Sequence, residues 1–245
     1  MKKSLIATSL VALSTLVGLT GCATQAPATP TQAQPSTAQI TSTDHRVSIT
    51  AQTGTRDSGI AQVTMLGPDS EYQYAVPVTD GNVQTTLTVP WSGKTNIAVS
   101  DGSKTVTDID ATVSGSALSE QQLDLLPSYT IDSNIPSVAA KAHAIASSVT
   151  TQGTDRNQAI ASAIVQWVKQ HIHTTNPTQT ARADETLTSG NGNQASRTAL
   201  AVALLRADNI PAKVAQEQVA SNGMYGTAYS VQSWLNGKWL NLGTP

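Results

Sequence analysis

From Arg46 to about Gly115 the chain alternates apolar and polar residues in short runs: "RVSITAQ", "IAQVTML", "YQYAVPV", "VQTTLTV", "NIAVS" and "KTVTDIDATV". Alternation of period two marks strands with one buried face. Between the runs lie "TGTRDSG", "GPDSE", Asp80-Gly81, "PWSG" and Asp101-Gly102. Asp-Gly pairs supply the positive φ angles that tight hairpins need. The pattern predicts a small all-β sandwich over 45–115. Trp91 and the pair Tyr72 and Tyr74 serve either its core or a binding face, and the module reads as a spacer.

After the connector "ALSEQQLDLLPSYTIDSNIP" the period changes. Val138, Ala142, Ile145 and Val149 fall at helical spacing behind Pro136, which suits a first turn. In "TDRNQAIASAIVQWVKQHI", Ile160, Ile164, Trp167, Val168 and Ile172 form one face, with Thr154 as the expected N-cap. A third helix, Ala195 to Ala207, is apolar nearly all round, so it belongs at the centre of its domain. Asn209 can end it in the left-handed conformation. "IPAKVAQEQVA" then reads as a strand and "YSVQSWLNGKWLNL" as a hairpin about Asn236-Gly237. Helices followed by an antiparallel sheet make the region 120–245 an α+β domain.

The amino terminus follows another logic. In "MKKSLIATSLVALSTLVGLTGC", two lysines precede an uncharged apolar run that closes on small residues, the pattern of a secretory signal over 1–21. Leu19-Thr20-Gly21-Cys22 resembles the lipobox of bacterial lipoproteins, which implies a diacylated Cys22 and a membrane held through that lipid. Residues 22–44, rich in Ala, Thr, Pro and Gln and nearly uncharged, read as a disordered tether behind the lipid.

Composition narrows the chemistry. The 245 residues carry a formal charge of −2, with 12% charged residues and no Phe. No basic stripe exists to neutralise phosphates, which argues against nucleic acid. Cys22 is the one cysteine; once lipidated it leaves no thiol for a disulfide, a nucleophile or a metal ligand.

The carboxy-terminal half resembles the transglutaminase-like domain, a branch of the papain-like cysteine enzymes. The resemblance rests on "LPSYTIDSNIPSVAAKAHAI", "RNQAIASAIVQWVKQHI", "TLTSGNGNQASRTALAVALLRADNIPAKV" and "YSVQSWLNGKWLNLGTP", in that order over about 120–245. Active members set a Cys at the core-helix start, a His on a following strand and an Asp on the next, so that the His activates a thiolate favoured by the helix dipole. Counting from Arg206, Ile210-Pro211 and Trp239 puts those positions at Gln194, Ala228 and Gly243. An amide, a methyl and a hydrogen cannot perform that chemistry. No register restores it, since no His follows His173.

Other candidates are weaker. Ser196 lies near the helix start, and His171 or His173 could serve it as a base only if folding brought them together. His171 and His173 point apart on a helix and lack a third ligand. His143 fits a helix surface. Asp184-Glu185 suits either a cation or the cap of the Gly-rich loop. Trp234 and Trp239 either line a groove or pack across strands.

The sequence therefore leads to a surface-anchored lipoprotein without cofactor or metal. Its degenerate transglutaminase-like domain is expected to bind a protein, peptide or cell-wall component in a cleft lined by Asn193, Gln194, Ala228 and Trp234. The alternatives are an acyl-transfer enzyme or peptidase using an unrecognised nucleophile, with Ser196 the one nearby, and a purely architectural role.

Overall fold

The computed structural model describes residues 39–54, 58–176, 179–221 and 224–245. The expected signal 1–21, Cys22 and most of the expected tether lie outside the described residues. The last part of that tether is corrected: Gln39–Thr43 forms strand β1, paired antiparallel with β2, Arg46–Gln52. Asp44 and His45, both at positive φ, make the two-residue turn between them, a geometry that mirrors the twist of the strands it joins.

The remaining alternating runs become β3 (Ser58–Leu66), β4 (Glu71–Thr79), β5 (Asn82–Thr88), β6 (Gly93–Asp101) and β7 (Lys104–Val113). Their order in the sheet is β1-β2-β5-β4-β3-β6-β7. β4 and β5 meet only at Thr79↔Asn82, beside the Asp80-Gly81 turn. There the sheet folds over, so that inward residues of both halves form one core, with Ile49, Val63, Met65, Tyr74, Val83 and Ile97 among them. Tyr74 is fully buried and its hydroxyl donates to the Thr88 carbonyl, while Tyr72 packs against it at 4.9 Å between ring centroids. The Trp91 indole lies over Gly67, where a Cβ would stand 2.4 Å from the ring, and donates to Thr95 Oγ1 at 2.9 Å. These aromatic residues pack the module. His45 sits under the first turn, Nδ1 against the Val89 carbonyl at 2.9 Å and Nε2 against that of Ser116 at 2.7 Å.

Beyond the sandwich come α1 (Glu120–Leu123), α2 (Pro136–Ser148), α3 (Arg156–His171), β8 (His173–Thr174), α4 (Ala183–Ser189), β9 (Asn191–Gly192), α5 (Gln194–Ala207), β10 (Ala212–Ser221), β11 (Met224–Leu235) and β12 (Lys238–Gly243). A short 3-10 turn, Gly153–Asp155, leads into α3, so Thr154 lies inside that turn instead of capping the helix. α4 has no counterpart in the sequence reading. Its stretch "ADETLTS" is too short and polar to show a helical period.

α5 is the centre. Thr198 to Leu205 are all buried along it, against α2, α3, α4 and the sheet β10-β11-β12. Asn209, at φ 60°, ends it as expected. The terminal hairpin turns on Asn236 and Gly237, both at positive φ.

The sandwich packs directly on this second core. Ile60, on the outer face of β3, joins it. Asn134 Nδ2 donates to the Ala75 carbonyl at 2.8 Å, covering part of the β4 edge that β5 leaves unpaired. Arg206 draws the two regions together from the far end of α5. Its side chain is 7% exposed, its Nη1 donates to the Leu126 carbonyl and its Nε donates to that of Ala212 at 2.8 Å. The Tyr72 hydroxyl shares the Leu126 carbonyl at 3.5 Å. Burial pulls the Arg206 pKa below its ordinary value even with Asp124 beside it.

Candidate functional site

The Gly-rich loop before α5 is built by local chemistry. Gly190 takes φ 66° and closes α4. Gly192 sits close against the helix start, where a Cβ would stand 3.1 Å from both the Ser196 and the Thr186 side chains. Asn191 and Gly192 pair in parallel with His173 and Thr174, which pins the loop to the end of α3. Asn193 then caps α5, its Oδ1 accepting from the Ser196 amide at 2.8 Å and from the Ser196 hydroxyl at 2.9 Å.

Gln194 opens the helix. Its Nε2 reaches the Tyr229 carbonyl on β11 at 3.5 Å, the outer limit of a hydrogen bond. Thr244 Oγ1 donates to the same carbonyl at 2.9 Å. On β12, Gly243 pairs with Val231 and turns the chain at φ 82°. The start of α5, the middle of β11 and the end of β12 therefore converge on one carbonyl oxygen.

Residues 143–244 match the transglutaminase-like superfamily, Transglut_core. They form a transglutaminase-like domain. Among solved structures the chain is similar to a candidate cysteine protease from Cytophaga hutchinsonii, at 13% identity over 84% of this chain and 68% of that one, TM-score 0.43. It is also similar to the periplasmic domain of TgpA from Pseudomonas aeruginosa bound to ethylmercury, at 16% identity over 85% of this chain and 75% of that one, TM-score 0.38. Overlaps this loose carry neither an activity nor a location across. No curated protein matches the sequence.

Within the transglutaminase-like domain, Gln194 and Gly243 both adjoin β11 near Ala228, but Trp234 stands apart. Val231, Ser233 and Leu235 are buried beneath the helices, so Trp234 and Ala228, of opposite parity on the strand, turn to the other face. Trp234 packs edge-on against its cross-strand partner Trp239 at 5.7 Å, and Lys213 Nζ lies 3.9 Å from the Trp239 ring centre. The groove expected from Asn193, Gln194, Ala228 and Trp234 is thus not one surface. Tyr229 and Thr244 join Gln194 instead.

The remaining candidates have structural partners. Ser196 is fully buried; besides bonding Asn193, its hydroxyl accepts from the Ala181 amide at 3.0 Å. His171 stacks on Trp167 and its Nδ1 meets the Trp167 carbonyl at 2.9 Å, while His173 is exposed on β8; among the described residues neither bonds the buried Ser196. His143 lies 3.1 Å from Asp208 Oδ1 on the surface. Asp184 and Glu185 turn onto Arg182, at 3.0 Å and 3.2 Å.

That last contact belongs to a larger cluster. Asp132, fully buried, accepts from the Asp184 amide at 3.0 Å and from Arg182 Nε at 3.3 Å. Burial first, then the neighbouring Asp184 carboxylate, pushes the Asp132 pKa up to about 8. Burial also opposes the charge of Asp184, but its bonds with Asp132 and Arg182 outweigh that and hold its pKa below the usual value. One carboxyl of the pair stays protonated near neutrality so that the other can ionise beside Arg182. The cluster clamps the connector to α4, just ahead of the site loop.

Proposed function

We propose that this protein is a non-catalytic, membrane-anchored lipoprotein. On this reading its transglutaminase-like domain binds a protein, peptide or cell-wall component where relatives would cleave or transfer acyl groups. What supports the reading is that the positions the resemblance assigns to the reactive trio hold Gln194, Ala228 and Gly243, that Ala228 turns to the face away from α5, and that Gln194 leans on the Tyr229 carbonyl. No group there can ionise to attack or deprotonate at neutral pH. The burial of Ser196 speaks against the alternative of a substitute nucleophile. A retained amide, with donor and acceptor side by side, suits recognition of another amide.

The remaining expectations complete the proposal. Lys2, Lys3 and the run ending at Leu19-Thr20-Gly21-Cys22 support export and acylation at Cys22, which would hold the chain outside the cytoplasm. The sandwich, proposed as a domain of its own over 45–115, would set the binding domain, 120–245, away from the lipid surface. A Cys22→Ser chain should leave the membrane fraction and lose incorporation of a labelled fatty acid.

The deciding experiment is cross-linking of the lipidated protein in its own envelope, followed by capture. One reproducible partner, reduced by Gln194→Arg, is the expected result. Turnover of peptide or peptidoglycan substrates that depends on a side chain of the carboxy-terminal half overturns the proposal.

A further inference from the structure

The terminal sheet is unequal. β10 and β11 pair continuously from Ala212↔Ser233 to Ser221↔Met224, whereas β12 reaches only as far as Val231↔Gly243. Past that rung the sheet becomes a two-stranded ribbon, exposed at Gln216 to Ala220 and at Gly226. Such a ribbon has two open edges and gains little from packing.

The register says which backbone groups each edge offers. Trp234 N donates to the Pro211 carbonyl, so even-numbered residues of β11 bond to β10 and odd-numbered ones turn toward β12. The Tyr229 carbonyl obeys this, meeting Gln194 and Thr244 on the β12 side. By the same alternation the amide of Tyr229 and both backbone groups of Thr227 face outward, beyond the last rung of β12. Gly243 turns the chain off this line at φ 82°, and a side-chain hydroxyl takes the place of the next backbone donor.

We infer that the outer edge of β11, Gly226 to Tyr229, receives an extended, uncharged polypeptide segment. It pairs in line with β12 and ends against the Gln194 amide. Backbone groups in ladder register select an extended chain over any other ligand. The length available, four to five residues or about 16 Å of strand, suits a short segment. The surroundings are neutral: Gln194, Gln216, Gln218, Thr227, Ser230 and Thr244 carry no charge, and Glu217 is the one charged residue from Gln216 to Ser230 among the described residues. A charged segment would give up hydration there for at most Glu217, the exposed register partner of Ala228, too well solvated to replace it. This inference names the ligand class for the binding reading above and rests on it.

The test measures fluorescence anisotropy of a labelled, end-blocked peptide of alternating threonine and valine, titrated with the folded chain. Thr227→Pro removes an outward N–H and leaves the ladder to β10 intact. Gln218→Pro does the same on the opposite edge. Thermal melts establish that both variants fold. The expected result is saturable binding, weakened ~10-fold by Thr227→Pro through loss of a backbone bond or two, and unchanged by Gln218→Pro. A probe N-methylated at alternate residues should not bind. Equal loss in both variants, no loss in either, or no binding by the unmodified probe overturns the inference. So does concentration-dependent dimerisation of the chain abolished by Thr227→Pro, since the edge would then serve a second copy. The two readings fail separately: envelope capture that still depends on Gln194 while the peptide ignores Thr227 leaves the function and removes the edge. Residue-dependent turnover removes the function whatever the anisotropy shows.

Discussion

The two ends of α5 are built in opposite ways. At the carboxy-terminal end, buried Arg206 is bound to two carbonyls and lies near Asp124, holding the sandwich and the sheet to one helix. At the amino-terminal end, where the transglutaminase-like resemblance sets reactive groups, the helix opens on neutral Gln194, whose side-chain amide reaches the Tyr229 carbonyl only at 3.5 Å. A charge buried among designed partners cannot be removed cheaply, whereas a half-exposed amide at the outer limit of bonding can be exchanged with little effect on folding. The far end of α5 is therefore under strong physical constraint and the Gln194 side chain under little. On the proposed reading, that is the condition in which chemistry is lost and binding kept.

The contrast can be broken experimentally. Arg206→Ala leaves the Leu126 and Ala212 carbonyls without their donor and Asp124 without its cation. It should cost about 3–5 kcal/mol in denaturant unfolding; a cost near zero would mean that the far end is no lock. Asp132 comes next, and its effect depends on pH. Its folded pKa lies above its unfolded value, so its contribution is full in acid and is lost as pH rises toward about 8. Asp132→Asn, neutral throughout, should flatten the stability profile from pH 4 to 8 and gain on the order of 2 kcal/mol on the parent across that window. An unchanged slope would sink the shared-proton account. Asn193→Ala removes the cap of α5 and should cost about 1 kcal/mol by the same unfolding assay. Gln194→Ala sits last: its melting curve should match the parent within about 0.5 kcal/mol, while envelope capture falls.

Much of this was legible beforehand. The alternating runs from Arg46 to Val113 appear as strands because one face is buried and the other wet. The unbroken apolar stretch from Ala199 to Leu205 could only be a helix surrounded on all sides. Other features left no mark. β1 precedes the Asp44-His45 turn, a pair that seldom takes positive φ, in a segment whose composition suggests a tether. The contact that organises the site runs through the Tyr229 carbonyl, and a backbone group has no sequence signature. The clamp of Asp132 on Arg182 spans fifty positions. The facing of Trp234 is legible in its alternation with Val231, Ser233 and Leu235, the inward residues of β11.

The imidazole of His45 has its own corollary. It plugs the tip of the first hairpin into the stretch by which the chain leaves the sandwich, and the space it fills is the missing side chain of Gly115: a Cβ there would fall 2.4 Å from the ring. Entrance and exit of the module are thus keyed to each other. A substitution as small as Gly115→Ala would evict the imidazole, and the damage would surface seventy residues away, at the strand nearest the proposed lipid.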